Sequence, residues 1–204
     1  MLNLNNEYFL TSDGSLNCTV MHRKPVDQTH WRIRRKVEAG EVVATRDVEW
    51  GHHRDIPSAL RTMQKETIYN DSAVQVETFF YDLYATIREF EWRGGNVIPE
   101  SEIEITPSWI VKHGEGNCAE LKRLHVSDPT HHKSHGVAQS RWVTVGCYKH
   151  AADALLGYVE YEQLAALYID NDLMPQLVAL HANVVAFIER FKATAKAARR
   201  EEVA

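Results

Sequence analysis

Arg141-Trp142-Val143-Thr144-Val145-Gly146, followed by Ala154-Leu155, reads as a strand that ends at a glycine and leads into a helix. An earlier stretch, Arg46-Asp47-Val48-Glu49-Trp50-Gly51, followed by Ala59-Leu60, has the same order and the same internal spacing. Two further pairs flank these, Asn17-Cys18 with Asn117-Cys118 and Leu83 to Phe90 with Val184 to Phe191. Two-residue identities arise often by chance. Matches in one order, separated by 95 to 101 positions, instead predict an internal duplication with small loop insertions.

Working outward, each half reads strand, strand, strand, helix, helix. Tyr8 to Thr11 and Leu16 to Met21 flank Asp13-Gly14, a hairpin signal because both central turn positions need positive φ. Trp31 to Lys36 and Glu41 to Trp50 add strand-like runs. Asp55 then caps a helix with Pro57 just inside its start, where a missing N–H costs nothing. Val76, Phe79, Phe80, Leu83, Ile87 and Phe90 form one stripe of a 3.6-residue period, with Ser72 as its cap and Gly94-Gly95 as its stop. In the second half, Ile103 to Val111 is a strand region interrupted at Pro107, and Cys118 to Val126 and Gln139 to Cys147 are the next two. Helices follow from about Ala151 to Ile169 and after Asp172, the latter with Leu177, Leu180, Val184, Ile188 and Phe191 on one stripe.

One such sheet with two helices holds too little core to stand alone. The expected fold is therefore α+β: two tandem β-β-β-α-α repeats, 1–95 and 96–204, with antiparallel sheets packed on helices about a pseudo-two-fold. A chain of 204 residues, 44% hydrophobic and 25% charged, is a globular composition and excludes a mainly disordered, collagen-like or coiled-coil chain. Its 23 basic residues against 28 acidic ones leave no global field to draw in nucleic acid. No stretch approaches the roughly 20 apolar residues of a membrane span. Met1 to Glu7 lacks the basic segment and apolar core of a secretory signal, and three scattered cysteines fit a reducing compartment. The expected location is cytoplasmic.

The densest set of potential ligands lies between positions 113 and 150, where His113, His125, His131, His132, His135 and His150 accompany Cys118 and Cys147. Imidazole and thiolate are donors that zinc prefers, so His125, His131, His132 and His135 form an alternative zinc site. No pair has C-x₂-C spacing and no H-x₃-H falls on a helix, so the first expectation is a polar loop and no cofactor. Arg32, Arg34 and Lys36 would project from one face of a strand, with Arg35 and Trp31 beside them, an alternative nucleic-acid patch. The competing reading is an edge strand whose charges block aggregation. Glu100, Glu102 and Glu104 alternate with Ile103 and Ile105 and read as a wet face. Cys18 and Cys118 read as matching small buried side chains. The chain has no phosphate-binding glycine loop, no G-x-S-x-G and no H-E-x-x-H.

The run Arg141 to Tyr148, with Ala154-Leu155 behind it, resembles a pattern in small uncharacterised bacteriophage proteins, where a Trp-led strand ends in Gly-x-Tyr before an amphipathic helix. The match covers about 15 residues, and Gly51-His52-His53 replaces Gly-x-Tyr in the first copy. The strand–Gly–aromatic–helix order is also similar to the three-strand-plus-helix DNA-binding domains of plant AP2 type and of phage integrase arms, which implies a DNA-reading sheet. The first resemblance implies a phage or mobile-element origin. Together with the mild acidity it leads to a non-catalytic accessory protein that binds and modulates a host protein, such as a defence nuclease. Its expected partner-binding residues are Trp31, Arg34, Trp109, His131, His132 and His135, because aromatic and Arg anchors dominate interfaces.

Overall fold

The computed structural model describes residues 1–12, 17–26, 34, 45–66, 70–128, 130, 138–169 and 173–201. Four strands come first: β1 (Leu2–Asn3), β2 (Tyr8–Ser12), β3 (Cys18–Pro25) and β4 (Thr45–His53). Helices α1 (Ile56–Glu66) and α2 (Asp71–Phe90) follow. The order then repeats as β5 (Ile103–Thr106), β6 (Trp109–Gly114), β7 (Cys118–Val126), β8 (Ser140–Tyr148), α3 (Ala151–Ile169) and α4 (Leu173–Glu201). The class is α+β, with two four-stranded antiparallel meanders ordered β1-β2-β3-β4 and β5-β6-β7-β8. Among the described residues no helix is long and apolar enough to cross a membrane.

The chain divides into two compact units, Met1–Phe80 with Tyr161–Leu177 and Tyr81–Glu160 with Val178–Ala204. In the first, Leu2, Leu10, Val20 and Gly51 face one another in a row across the sheet, and the three apolar side chains are buried. Val20 faces Gly51 while Met21 faces Glu49, so Trp50 is an extra residue without an opposite number, a β-bulge. Helix α1 packs on β3 and β4 through buried Ile56, Ala59, Leu60 and Met63. Its start is fixed as expected: Asp55 Oδ1 accepts the Ser58 N–H at 2.7 Å. Burying each such aliphatic side chain stabilises the fold by about 1.5–3 kcal/mol.

In the second unit the corresponding row is Ile103, Val111, Leu121 and Gly146, and Val145 is the bulged residue. Trp109 stacks edge-on against Tyr158 at 5.4 Å between ring centroids. The Tyr158 hydroxyl accepts a hydrogen bond from Asn183 Nδ2 at 3.1 Å. Phe90 meets Phe187 and Phe191 at 6.1 and 5.1 Å. The Arg190 guanidinium donates to the carbonyl oxygens of Glu104 and Ile105 at 2.8 and 3.0 Å, tying α4 to β5.

Five expectations change. Each sheet has four strands, because Leu2–Asn3 pairs with β2 and because Pro107-Ser108 is a turn that splits the Ile103 to Val111 region in two. The cap of α2 is Asn70, not Ser72: Asn70 Oδ1 accepts the Ala73 N–H at 3.0 Å while Asn70 Nδ2 donates to the Asn3 carbonyl at 2.9 Å. Cys18 faces His53, whereas the residue facing Tyr148 is Ala119, so Cys18 and Cys118 are one residue out of step. A one-residue slip reverses the face: Cys18 is buried, its thiol pushed up to about 12 by burial and then by Asp55, whereas Cys118 is half-buried. Phe79 is half-buried, though the rest of its stripe, Val76, Phe80, Leu83, Ile87 and Phe90, is buried. β2 and β3 pair as the hairpin expected around Asp13-Gly14, whose turn lies outside the described residues; so does the Trp31 to Lys36 run except Arg34, which is helical and not in a strand.

Candidate partner-binding edge

Strand β8 ends the second sheet, with β7 as its neighbour among the described residues. An edge strand turns alternate N–H and C=O groups outward, where an incoming strand can pair with them. Every residue from Ser140 to Val145 is exposed, and three of them are large and apolar: Trp142 at 40%, Val143 at 38% and Val145 at 38%. The only charged side chain in the strand is Arg141. Trp142 and Thr144 face Leu124 and Lys122 across the β7 register, so they share the outer face, and the bulge at Val145 adds local twist.

Strand β4 occupies the same place in the first sheet and is also exposed, yet its chemistry differs. At the positions matching Trp142 and Thr144 it carries Asp47 and Glu49. Asp47 Oδ1 lies 3.4 Å from Arg23 Nε, and Glu49 Oε2 lies 3.6 Å from His52 Nε2. Carboxylates of this kind on an edge discourage strand addition. β8 has none.

The basic side chains beside β8 are largely neutralised. Glu120 Oε2 lies 3.1 Å from Lys122 Nζ and 4.0 Å from Lys112 Nζ, and Glu120 Oε1 accepts from the Thr144 hydroxyl at 3.4 Å. The Glu120 carboxylate holds the Lys122 ammonium above its ordinary value. Arg123 stacks its guanidinium over the Trp109 ring at 5.6 Å.

Of the residues expected to bind partners, Trp109 is a core residue. It is 3% exposed because it sits on the inner face against Tyr158, a core position and not the interface anchor expected. Arg34 is exposed and helical. Trp31, Arg32, Arg35, Lys36, His131, His132 and His135 lie outside the described residues. His125 is exposed on β7 opposite Arg141. Among the described residues no three His, Cys, Asp or Glu side chains converge on a possible metal position. Asp128 accepts hydrogen bonds from the Thr130 hydroxyl and N–H at 2.6 and 2.8 Å, which hold its carboxyl below the ordinary value in a local turn. Reading the sequence for anchors passed over the exposed Trp142, Val143 and Val145, although Arg141 to Gly146 carries one charge where Arg46 to Gly51 carries three. It also missed Trp92, 93% exposed in the single π-turn that ends α2 at Gly94, where φ is 122°.

His53, at the end of β4, gives the first unit a pH dependence. Its Nε2 is buried with no hydrogen-bond partner among the described residues, and burial lowers its pKa from the ordinary 6.5, partly offset by Asp55. A lowered folded-state value means that this contribution to stability is complete above pH 6.5 and is lost as pH falls through the folded value. Thermal melts are therefore expected to shift down on acidification from about pH 7.5 to about pH 5.5, and His53→Leu is expected to reduce that shift. The side chain is half-buried, so the effect is modest.

Comparison with known protein families, with curated proteins and with solved structures finds no match for this chain.

Proposed function

We propose that this chain is a non-catalytic accessory protein that binds an extended segment of a partner protein along the open edge of β8. The observation that carries this reading is the contrast between the two edges: carboxylates at Asp47 and Glu49 of β4, but Trp142 and Thr144 at the matching positions of β8. The contrast has weight because the two sheets read as copies of one plan. The row Leu2, Leu10, Val20, Gly51 corresponds residue by residue to Ile103, Val111, Leu121, Gly146, each with the bulge before its glycine. The Arg23 N–H bond to the Glu7 carbonyl also has its counterpart in Leu124 and Ser108. One copy keeps a charged edge; the other carries an apolar one.

Strand addition supplies affinity through main-chain hydrogen bonds and specificity through alternate side chains. The fitting occupant has apolar side chains at alternate positions, to cover Trp142 on the outer face, and a carboxylate opposite Arg141. A protein segment fits better than a nucleic acid because Arg23, Lys112 and Lys122 already have carboxylate neighbours. On this reading the protein modulates its partner by occupying an extended segment of it.

The test is to copy the first edge onto the second. Trp142→Asp with Thr144→Glu replaces exposed side chains, so the fold is expected to survive, with a stability change within about 1 kcal/mol. A random peptide display library selected on the wild-type protein is expected to enrich extended, alternately apolar peptides that bind the double variant at least about tenfold more weakly, a difference of roughly 1.4 kcal/mol. Equal binding to both proteins, or no enrichment, would overturn the proposal. A mass that doubles with concentration in the wild type and not in the variant would instead make the occupant a second copy.

A further inference from the structure

Cys118 and Cys147 meet on one face of the second sheet. Glu120 faces Cys147 in the β7–β8 register, and residues two apart on a strand share a face, so Cys118 is the diagonal neighbour of Cys147. Cys118 Sγ donates to the Glu115 carbonyl oxygen at 3.7 Å. Cys147 is exposed and Cys118 half-buried, while Cys18 is buried. The neighbouring Cys147 thiol, then burial, then the Glu120 charge push the Cys118 thiol above its ordinary value.

We propose that Cys118 and Cys147 are a reversible dithiol–disulfide pair, oxidised by exchange with a low-molecular-weight disulfide such as oxidised glutathione. Cys147 is the entry point because its sulfur is the exposed one. Its thiolate attacks one sulfur of the small disulfide, forming a mixed disulfide and expelling one thiolate, which takes up the proton that Cys147 released. Cys118 then loses its proton and attacks the Cys147 sulfur; the bond to the carrier breaks and the second small thiol leaves with that proton. Two cysteine thiols are oxidised and one small disulfide is reduced to two thiols. Closing to bond length draws two strand ends together. Cys118 can follow, since it is the first residue of β7 and adjoins the turn at Gly116 and Asn117, both with positive φ. The second step quickens as pH rises toward the raised value of Cys118.

The test incubates the full chain with excess oxidised glutathione, then reads intact mass, native thiol content and linked peptides. The expected wild-type product has lost two hydrogen atoms and both accessible thiols, carries a Cys118–Cys147 linked peptide, keeps Cys18 as a thiol, and returns to the dithiol form with dithiothreitol. In Cys118→Ser the glutathione adduct on Cys147 is expected to persist, and Cys147→Ser is expected to yield no linked peptide. A wild type that stops at the glutathione adduct on Cys147, or that stays unreacted while Cys118→Ser reacts, would overturn the assignment. So would a Cys118→Ser protein in which Cys147 takes no adduct.

Discussion

Trp109→Ala is expected to lower the free energy of unfolding by about 3–5 kcal/mol, the cost of removing a large aromatic side chain from a packed interior. The indole is 3% exposed, rests on Tyr158 at 5.4 Å and carries Arg123 over its ring at 5.6 Å. Truncation therefore opens a cavity and also frees a guanidinium from its stacking surface. Urea denaturation of the purified protein measures the loss as a lower midpoint at unchanged slope. A loss below about 1 kcal/mol would mean that the ring is a surface feature, as the sequence first suggested. The variant also separates folding from binding, because Trp109 lies on the inner face of the sheet and Trp142 on the outer one.

Gly157→Ala is the second large effect, and its sign depends on the partner residue. A Cβ on Gly157 would sit on the hydroxyl and Cζ of Tyr148 and 2.9 Å from Cε1, so α3 approaches the end of β8 closely only because position 157 lacks a side chain. Overpacking of this kind costs about 1–3 kcal/mol. In a Tyr148→Ala background the clash is gone, and alanine's helix propensity should make the same substitution stabilising by up to about 1 kcal/mol. A double-mutant cycle by denaturation gives both values. Equal cost in the two backgrounds would show that Tyr148 is not what fills the space at Gly157.

Regular alternation and regular helical stripes were legible in the sequence, and departures from them were not. Ile103 and Ile105 are buried while Glu104 between them is exposed, as a two-residue period requires. Val76, Phe80, Leu83, Ile87 and Phe90 are buried for the corresponding helical reason. Trp109, Ile110 and Val111 are all apolar and all buried, so the run has no period to show which face Trp109 takes. Leu2–Asn3 is too short to have a period at all. Val20 and Leu121 each face a glycine and lie 101 positions apart, whereas Cys18 and Cys118 lie 100 apart, and that one-residue difference defeated the simple pairing of Cys18 with Cys118. The proposed binding edge was hidden for a different reason. In the sequence the β8 run stood out for its likeness to Arg46 to Gly51, and only the cross-strand register shows that Trp142 and Thr144 stand where Asp47 and Glu49 stand in β4.

Amide hydrogen exchange of the wild-type chain, with and without a peptide selected on it, tests strand addition most directly. Outward N–H groups of Ser140–Tyr148 are expected to exchange more slowly when the peptide is bound, while Thr45–His53 is unchanged. Protection confined to another surface, such as the exposed Trp92 turn of Glu91–Gly95, with β8 unaffected, would contradict the account.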